Sequence, residues 1–133
     1  MARNRILIAD RNPAIRQELI DLLQENSEIV ASVDTEEAVL DAVNGIHPNL
    51  ILLGVSCSGT TGFELARQLR RSDCPAKIII ISLHESQDLV RAALAVGASG
   101  YVFISRLLED LPAAVQAVCE GRVFQSKPNP ALR

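Results

Sequence analysis

Short β-branched apolar runs alternate along the chain with longer segments whose apolar residues recur every three or four positions. The runs are RILIA (5–9), EIVASV (28–33), NLILLG (49–54), AKIIIIS (76–82) and GYVFI (100–104). Several are apolar without alternation, the pattern of strands covered on both faces in a parallel sheet. Between them, residues 13–26 place Ile15, Leu19, Leu22 and Leu23 on one helical stripe. Further helices are predicted over 35–44, 62–72, 84–96 and 110–120. Asn12 suits an N-cap and Pro13 the first helical position. Gly45, Gly97 and Gly121 stand where left-handed C-terminal caps are wanted, and Pro112 near the start of the last helix. The alternation predicts an α/β fold: (βα)5, a doubly wound, parallel five-stranded sheet with right-handed crossovers.

Composition narrows the function. A length of 133 residues favours one domain, and 48% hydrophobic residues with 3% aromatic ones give it an aliphatic core. A net charge of -3, with both signs mixed along the chain, argues against a nucleic-acid or anionic-membrane surface. Cys57, Cys74 and Cys119 are odd in number and lack CxxC spacing. That speaks against zinc or a disulfide framework and for reduced thiols in a cytoplasmic protein. No run is apolar enough for a secretory leader or a membrane span. Residues 1–121 read as the domain, and the polar, proline-containing segment 122–133, RVFQSKPNPALR, as a linker or tail.

In an open doubly wound sheet the site lies at the carboxyl ends of the strands. Three segments converge there: Asp10-Arg11, the loop from Gly54 to Gly62, and Ser82. The loop follows a strand, precedes a helix and is close to G-x-x-x-x-G-K-[ST], but Thr60 stands in place of the lysine that neutralises phosphate. Its backbone amides still suit an anion at the helix N-terminus. A phosphatase-type loop with Cys57 as nucleophile needs an arginine six residues on, where Phe63 stands. Flavin binding fails on the first loop, DRNP, which has no hydroxyl-and-glycine pattern. A tight turn with Ser, Gly and Thr chosen for geometry is the plain alternative.

Nearly the whole chain resembles the receiver domain of bacterial response regulators, the CheY-like fold. ILIADRNPAIRQEL is similar to the first strand, acidic loop and first helix of that family. LILLGVSCSGTTGFEL matches its phosphorylation-site segment in length, IIIISLHE its fourth strand and GASGYVF its fifth. The ending AVQAVCEGRVFQSKPNPAL is similar to receivers that precede a LuxR-type helix-turn-helix. The resemblance implies strand order 2-1-3-4-5, a switch pair at Ser82 and Tyr101, and a partner face on the fourth helix, fifth strand and fifth helix. Arg91, Gln116 and Glu120 are its outward-facing candidates.

The family's chemistry does not carry over. Where the resemblance calls for two adjacent acids the chain has Asp10 and Arg11; where it calls for the phosphorylated aspartate, Gly54; where it calls for a lysine, Ile104. An acyl phosphate needs a carboxylate nucleophile, and glycine has no side chain. Mg²⁺ wants carboxylate oxygens, and Arg11 sets a cation where one would stand. The expectation is therefore a non-enzymatic, phosphorylation-independent pseudo-receiver without metal or cofactor. It would act in signal transduction and transcription regulation as a homodimer, with a helix-turn-helix beyond residue 133 or a partner protein. The alternative is an anion, nucleotide or small-ligand module built on the 54–62 loop and the altered acidic pocket. Each site residue also has a plain reading: pairing with Arg11 or with backbone for Asp10, a solvated side chain for Arg11, helix capping for Ser82, a static half-buried ring for Tyr101. His84 and His47 read as loop residues.

Overall fold

The computed structural model describes residues 4–55 and 62–127. Cys57, Gly59, Thr60 and Thr61 of the hydroxyl-rich loop therefore lie outside the described residues. Five strands, β1 (Asn4–Ala9), β2 (Ser27–Val33), β3 (Leu50–Gly54), β4 (Lys77–Ser82) and β5 (Gly100–Phe103), alternate with helices α1 (Pro13–Leu23), α2 (Glu36–Ile46), α3 (Gly62–Arg71), α4 (Gln87–Ala95) and α5 (Leu107–Cys119). Ile104–Arg106 form a 3-10 turn into α5. All pairings are parallel, in the order β2-β1-β3-β4-β5, and a two-residue strand β6 (Phe124–Gln125) is added beside β5.

The period of two within each strand divides the core into two layers. Leu7, Ala9, Ile51, Leu53, Ile78, Ile80, Tyr101 and Phe103 face one side, where α2, α3 and α4 pack. Ile6, Ile8, Leu50, Leu52, Ile79, Ile81 and Val102 face the other, against α1 and α5. The two-sided covering explains why the central strands are apolar at every position.

Local signals mostly act as expected. The Asn12 side chain accepts from the Ala14 N–H at 2.9 Å, and Pro13 opens α1. Gly97 (φ 105°) and Gly121 (φ 86°) take the left-handed conformation after α4 and α5. Four details differ. Helix α2 runs through Gly45, and its left-handed cap is His47 (φ 57°), whose carbonyl accepts from the Arg5 guanidinium at 2.9 Å. Helix α4 starts at Gln87 because the Ser86 hydroxyl accepts from the Leu89 N–H, so Ser82 is not its cap. Helix α5 starts at Leu107, which places Pro112 in its sixth position; the turn there loses a donor to the carbonyl of exposed Leu108. Lastly, the sheet continues into the segment expected to be a tail: Phe124 and Gln125 pair with Gly100 and Tyr101.

Leu52, fully buried in the centre of β3, tests the layer under α1 and α5. Leu52→Ala should lower stability by about 2–5 kcal/mol. A urea titration followed by circular dichroism measures it, and a loss below about 1 kcal/mol would contradict tight packing at this position.

Candidate functional site

The register of the central strands builds the site. Ala9 lies opposite Leu53 in the β1–β3 pair, so the next residues, Asp10 and Gly54, leave the sheet side by side. Gly54 lies opposite Ile81 and Ser82 opposite Phe103, which brings Ser82 and Ile104 to the same edge. Asp10, Ser82 and Ile104 line a cavity of about 190 Å³ together with Val55, Ile81, Leu83 and His84. The structure thus gathers Asp10, Gly54, Ser82 and Ile104 in one place. Arg11 is exposed on the loop that follows β1.

Asp10 is buried. Its Oδ1 accepts from the Asn12 N–H at 2.8 Å, and its main-chain carbonyl accepts from the Arg16 guanidinium at 2.6 Å. A β-carbon added to Gly54 would overlap Oδ2 of Asp10 and lie 2.7 Å from its Cγ. The carboxylate of Asp10 therefore occupies the volume that a side chain at residue 54 would need. With Asp10 in this conformation, any side chain at residue 54 would have to displace its carboxylate.

Magnesium does not fit this donor set. One carboxylate is present, already engaged by a backbone N–H, while residue 54 contributes no ligand and the neighbouring residue 11 is a cation. Among the described residues no group of three or more His, Cys, Asp or Glu side chains could hold a metal ion. Ile104 adds an apolar side chain to the cavity lining, with Val55, Ile81 and Leu83.

Ser82 and Tyr101 meet through His84. The Ser82 hydroxyl accepts from the His84 N–H at 3.0 Å, and the fully buried Tyr101 hydroxyl donates to the His84 carbonyl at 3.0 Å. Tyr101 is thus deeper than the half-buried ring expected, and packs edge-on against Phe103 with ring centroids 5.9 Å apart. Burial pushes its phenol above the usual value, with Ser82 pulling weakly the other way. The His84 main chain, which joins these two residues, was not identified from sequence, because a backbone role leaves no side-chain signature.

The candidate partner residues are on the surface. Arg91 is paired with Asp88 on α4, while Gln116 donates to Glu120 on α5 at 3.3 Å. Arg122 pairs with Glu120 and lowers its carboxyl pKa. Partial burial, with a smaller effect of Glu120, pushes the Cys119 thiol up, away from nucleophile behaviour. Cys74 is buried.

Residues 6–116 match the model of the response regulator receiver domain. The chain belongs to the response-regulator receiver family. Its fold is the receiver fold, and the family acts in two-component signalling. It is similar to the nitrate/nitrite response regulator protein NarP of Escherichia coli, with 30% identity over 96% of this chain and 61% of that protein. It is similar to the response regulator GacA of Pseudomonas aeruginosa, with 25% identity over 92% of this chain and 58% of that protein. The chain therefore spans about three-fifths of the length of these curated relatives. Among solved structures it resembles a LuxR-family two-component response regulator from Aurantimonas, with a TM-score of 0.87 and 26% identity, covering 98% of this chain and 94% of that one. No described helix of this receiver domain is long and apolar enough to cross a membrane.

Two measurements probe the site. Gly54→Ala should cost about 1–3 kcal/mol in urea unfolding, and the cost should fall sharply in an Asp10→Ala background, where the clashing carboxylate is gone. Strictly additive losses would show that Asp10 does not hold that volume. Tyr101, the single tyrosine in a chain without tryptophan, can be titrated by its own absorbance. The folded protein holds the phenolic proton more tightly than the unfolded chain, so this contribution to stability is intact below the ordinary value near 10.0 and fades as pH rises above it. Tyrosinate appearing at the ordinary value in the folded protein would contradict a buried, hydrogen-bonded ring.

Proposed function

We propose that the chain is a phosphorylation-independent receiver whose conformation is set by dimerisation or by contacts with a partner protein. The single observation that carries this is the Asp10 carboxylate over Gly54. A phosphoryl acceptor needs a carboxylate at the strand end, and that volume is filled by a different residue held by its own backbone bond. Arg11 and Ile104 support the same conclusion from the metal and phosphoryl sides of the pocket. In this reading the domain catalyses nothing. Arg91, Gln116 and Glu120 are candidates for its contact surface, and Ser82 with Tyr101 for its switch.

Several relatives are named transcriptional regulatory proteins and are longer than this chain, which supports a role in transcription regulation through an output domain of helix-turn-helix type. Residues 1–121 would form the body of the receiver and 122–133 its linker, the first residues of which dock on the sheet. The mixed charge supports a segment that makes no direct nucleic-acid contact, and membership of the receiver family supports a cytoplasmic location.

A second reading is favoured by the cavity itself. At about 190 Å³, below the range of drug-sized ligand pockets, and lined by Asp10, Ser82 and His84 among apolar neighbours, it has room only for a very small ligand that would replace phosphorylation as the input. The wider 54–62 phosphate-loop reading rests mostly on residues outside those described.

Incubation with acetyl phosphate and Mg²⁺, followed by intact mass measurement, should leave the protein unmodified. Beryllofluoride with Mg²⁺ should leave its amide spectrum unchanged. A stoichiometric acyl phosphate would overturn the proposal, whereas saturable binding of a small metabolite that shifts Ser82 and His84 resonances would favour the second reading.

A further inference from the structure

Residues 122–127 are tied to the body of the receiver by a compact set of hydrogen bonds. The Phe124 N–H donates to the Ser99 carbonyl at 3.0 Å, and the Ser126 N–H donates to the Tyr101 carbonyl at 2.8 Å. The Ser126 hydroxyl accepts from the Phe103 N–H at 3.1 Å and donates to Oδ2 of Asp110 at 2.6 Å. Asp110 is in turn held by Arg106, whose Nε donates to the same oxygen at 3.0 Å. Ser126 is 1% exposed, while Val123 before it is 63% exposed and Lys127 after it is exposed. One buried serine, flanked by solvated residues, thus closes the edge of the sheet. Phe124 adds packing against the layer under α5.

A two-residue strand has too few ladder bonds to hold itself, so its docking depends on Ser126 and Phe124. The partners of Ser126 are not neutral bystanders. Tyr101 carries both connections: its carbonyl receives Ser126, and its hydroxyl reaches the His84 carbonyl, on the wall of the pocket. Phe103, which donates to Ser126, directly precedes Ile104, another residue of that wall. A change in the pocket that displaces the His84 loop or Tyr101 acts on the same strand that holds the strap.

We propose that residues 122–127 are a releasable strap, latched by Ser126 on Asp110 and Phe103, which transmits the state of the pocket to the chain that follows. Docked, it fixes the direction in which the polypeptide leaves the receiver. Released, it frees that direction and uncovers the edge of β5. The inference goes beyond the proposed function, since the strap can respond to a partner or a ligand alike.

Hydrogen exchange of the whole chain, read by mass spectrometry on peptides covering 122–127, tests the latch. Ser126→Ala removes both hydroxyl bonds and Asp110→Ala removes one of them, and each should raise exchange of the strap by about tenfold or more. Amides of β1 and β3 should stay protected, which separates strap release from loss of the fold. Tyr101→Phe leaves every Ser126 bond in place and removes only the hydroxyl's links to the pocket, to His84 and Ser82, and should raise strap exchange severalfold. Unchanged strap exchange in both latch variants would overturn the latch. Unchanged exchange in Tyr101→Phe alone would overturn its coupling to the pocket.

Discussion

The carboxylate of Asp10 and a side chain at residue 54 compete for the same small volume. That competition follows from register: β1 and β3 run parallel with Ala9 beside Leu53, so the residues that follow emerge together. In a pocket with two or three carboxylates and a divalent cation, mutual repulsion is offset by the metal. Here one carboxylate folds inward and takes a backbone N–H as its partner, and the absent side chain at Gly54 makes room for it. The neighbouring substitutions follow the same logic. With no second acid to attract a cation, Arg11 turns to solvent, and with no phosphoryl oxygen to pair, an isoleucine can line the cavity.

The fold was largely legible in the sequence because covering both faces of a parallel sheet demands uninterrupted apolar runs, and those of β3 and β4 are unmistakable. Helix starts were legible where a side chain does the capping, as at Asn12. Ends were less so. Gly45 looked like the cap of α2, yet the helix continued for one more residue and His47 took the strained conformation, because Arg5, 42 positions away in sequence, ties down its carbonyl. No local rule contains that contact. The same holds for β6: Phe124–Gln125 lie in a polar segment with proline beyond it, and their strand state comes from an edge on β5 and a serine pocket made by Asp110 and Phe103.

The candidate site was legible in a different sense. Which residues differ from the family's chemistry can be read position by position, and the structure brings Asp10, Gly54, Ser82 and Ile104 to one edge. Where the Asp10 carboxylate would go could not be read. Asp10–Arg11 pairing and Asp10–backbone pairing were both reasonable in sequence, and the choice depends on a local N–H offered by the turn at Asn12. Ser82 likewise suggested a helix cap, but it holds the His84 N–H in the turn before α4, while Ser86 does the capping. Short polar side chains bond whichever backbone donor the turn presents, and turn geometry is set by the strands on either side.

Under the proposed loss of phosphoryl chemistry, what remains is a two-sided wall. On one side Ser82, His84 and Tyr101 are joined through the main chain of His84; on the other the strand that carries Tyr101 holds Ser126. A conformational equilibrium responds to any difference in binding free energy between its states, and the source of that difference is immaterial. A phosphoryl group supplies it by charge. A partner protein or a second copy supplies it by contact area, and a difference of about 1.4 kcal/mol already shifts the populations tenfold. A receiver can therefore lose its acceptor carboxylate and keep its output, provided that the elements linking pocket to surface still move together. In this chain the elements we propose for that link are β5, the start of α5 and the segment that Ser126 binds to them.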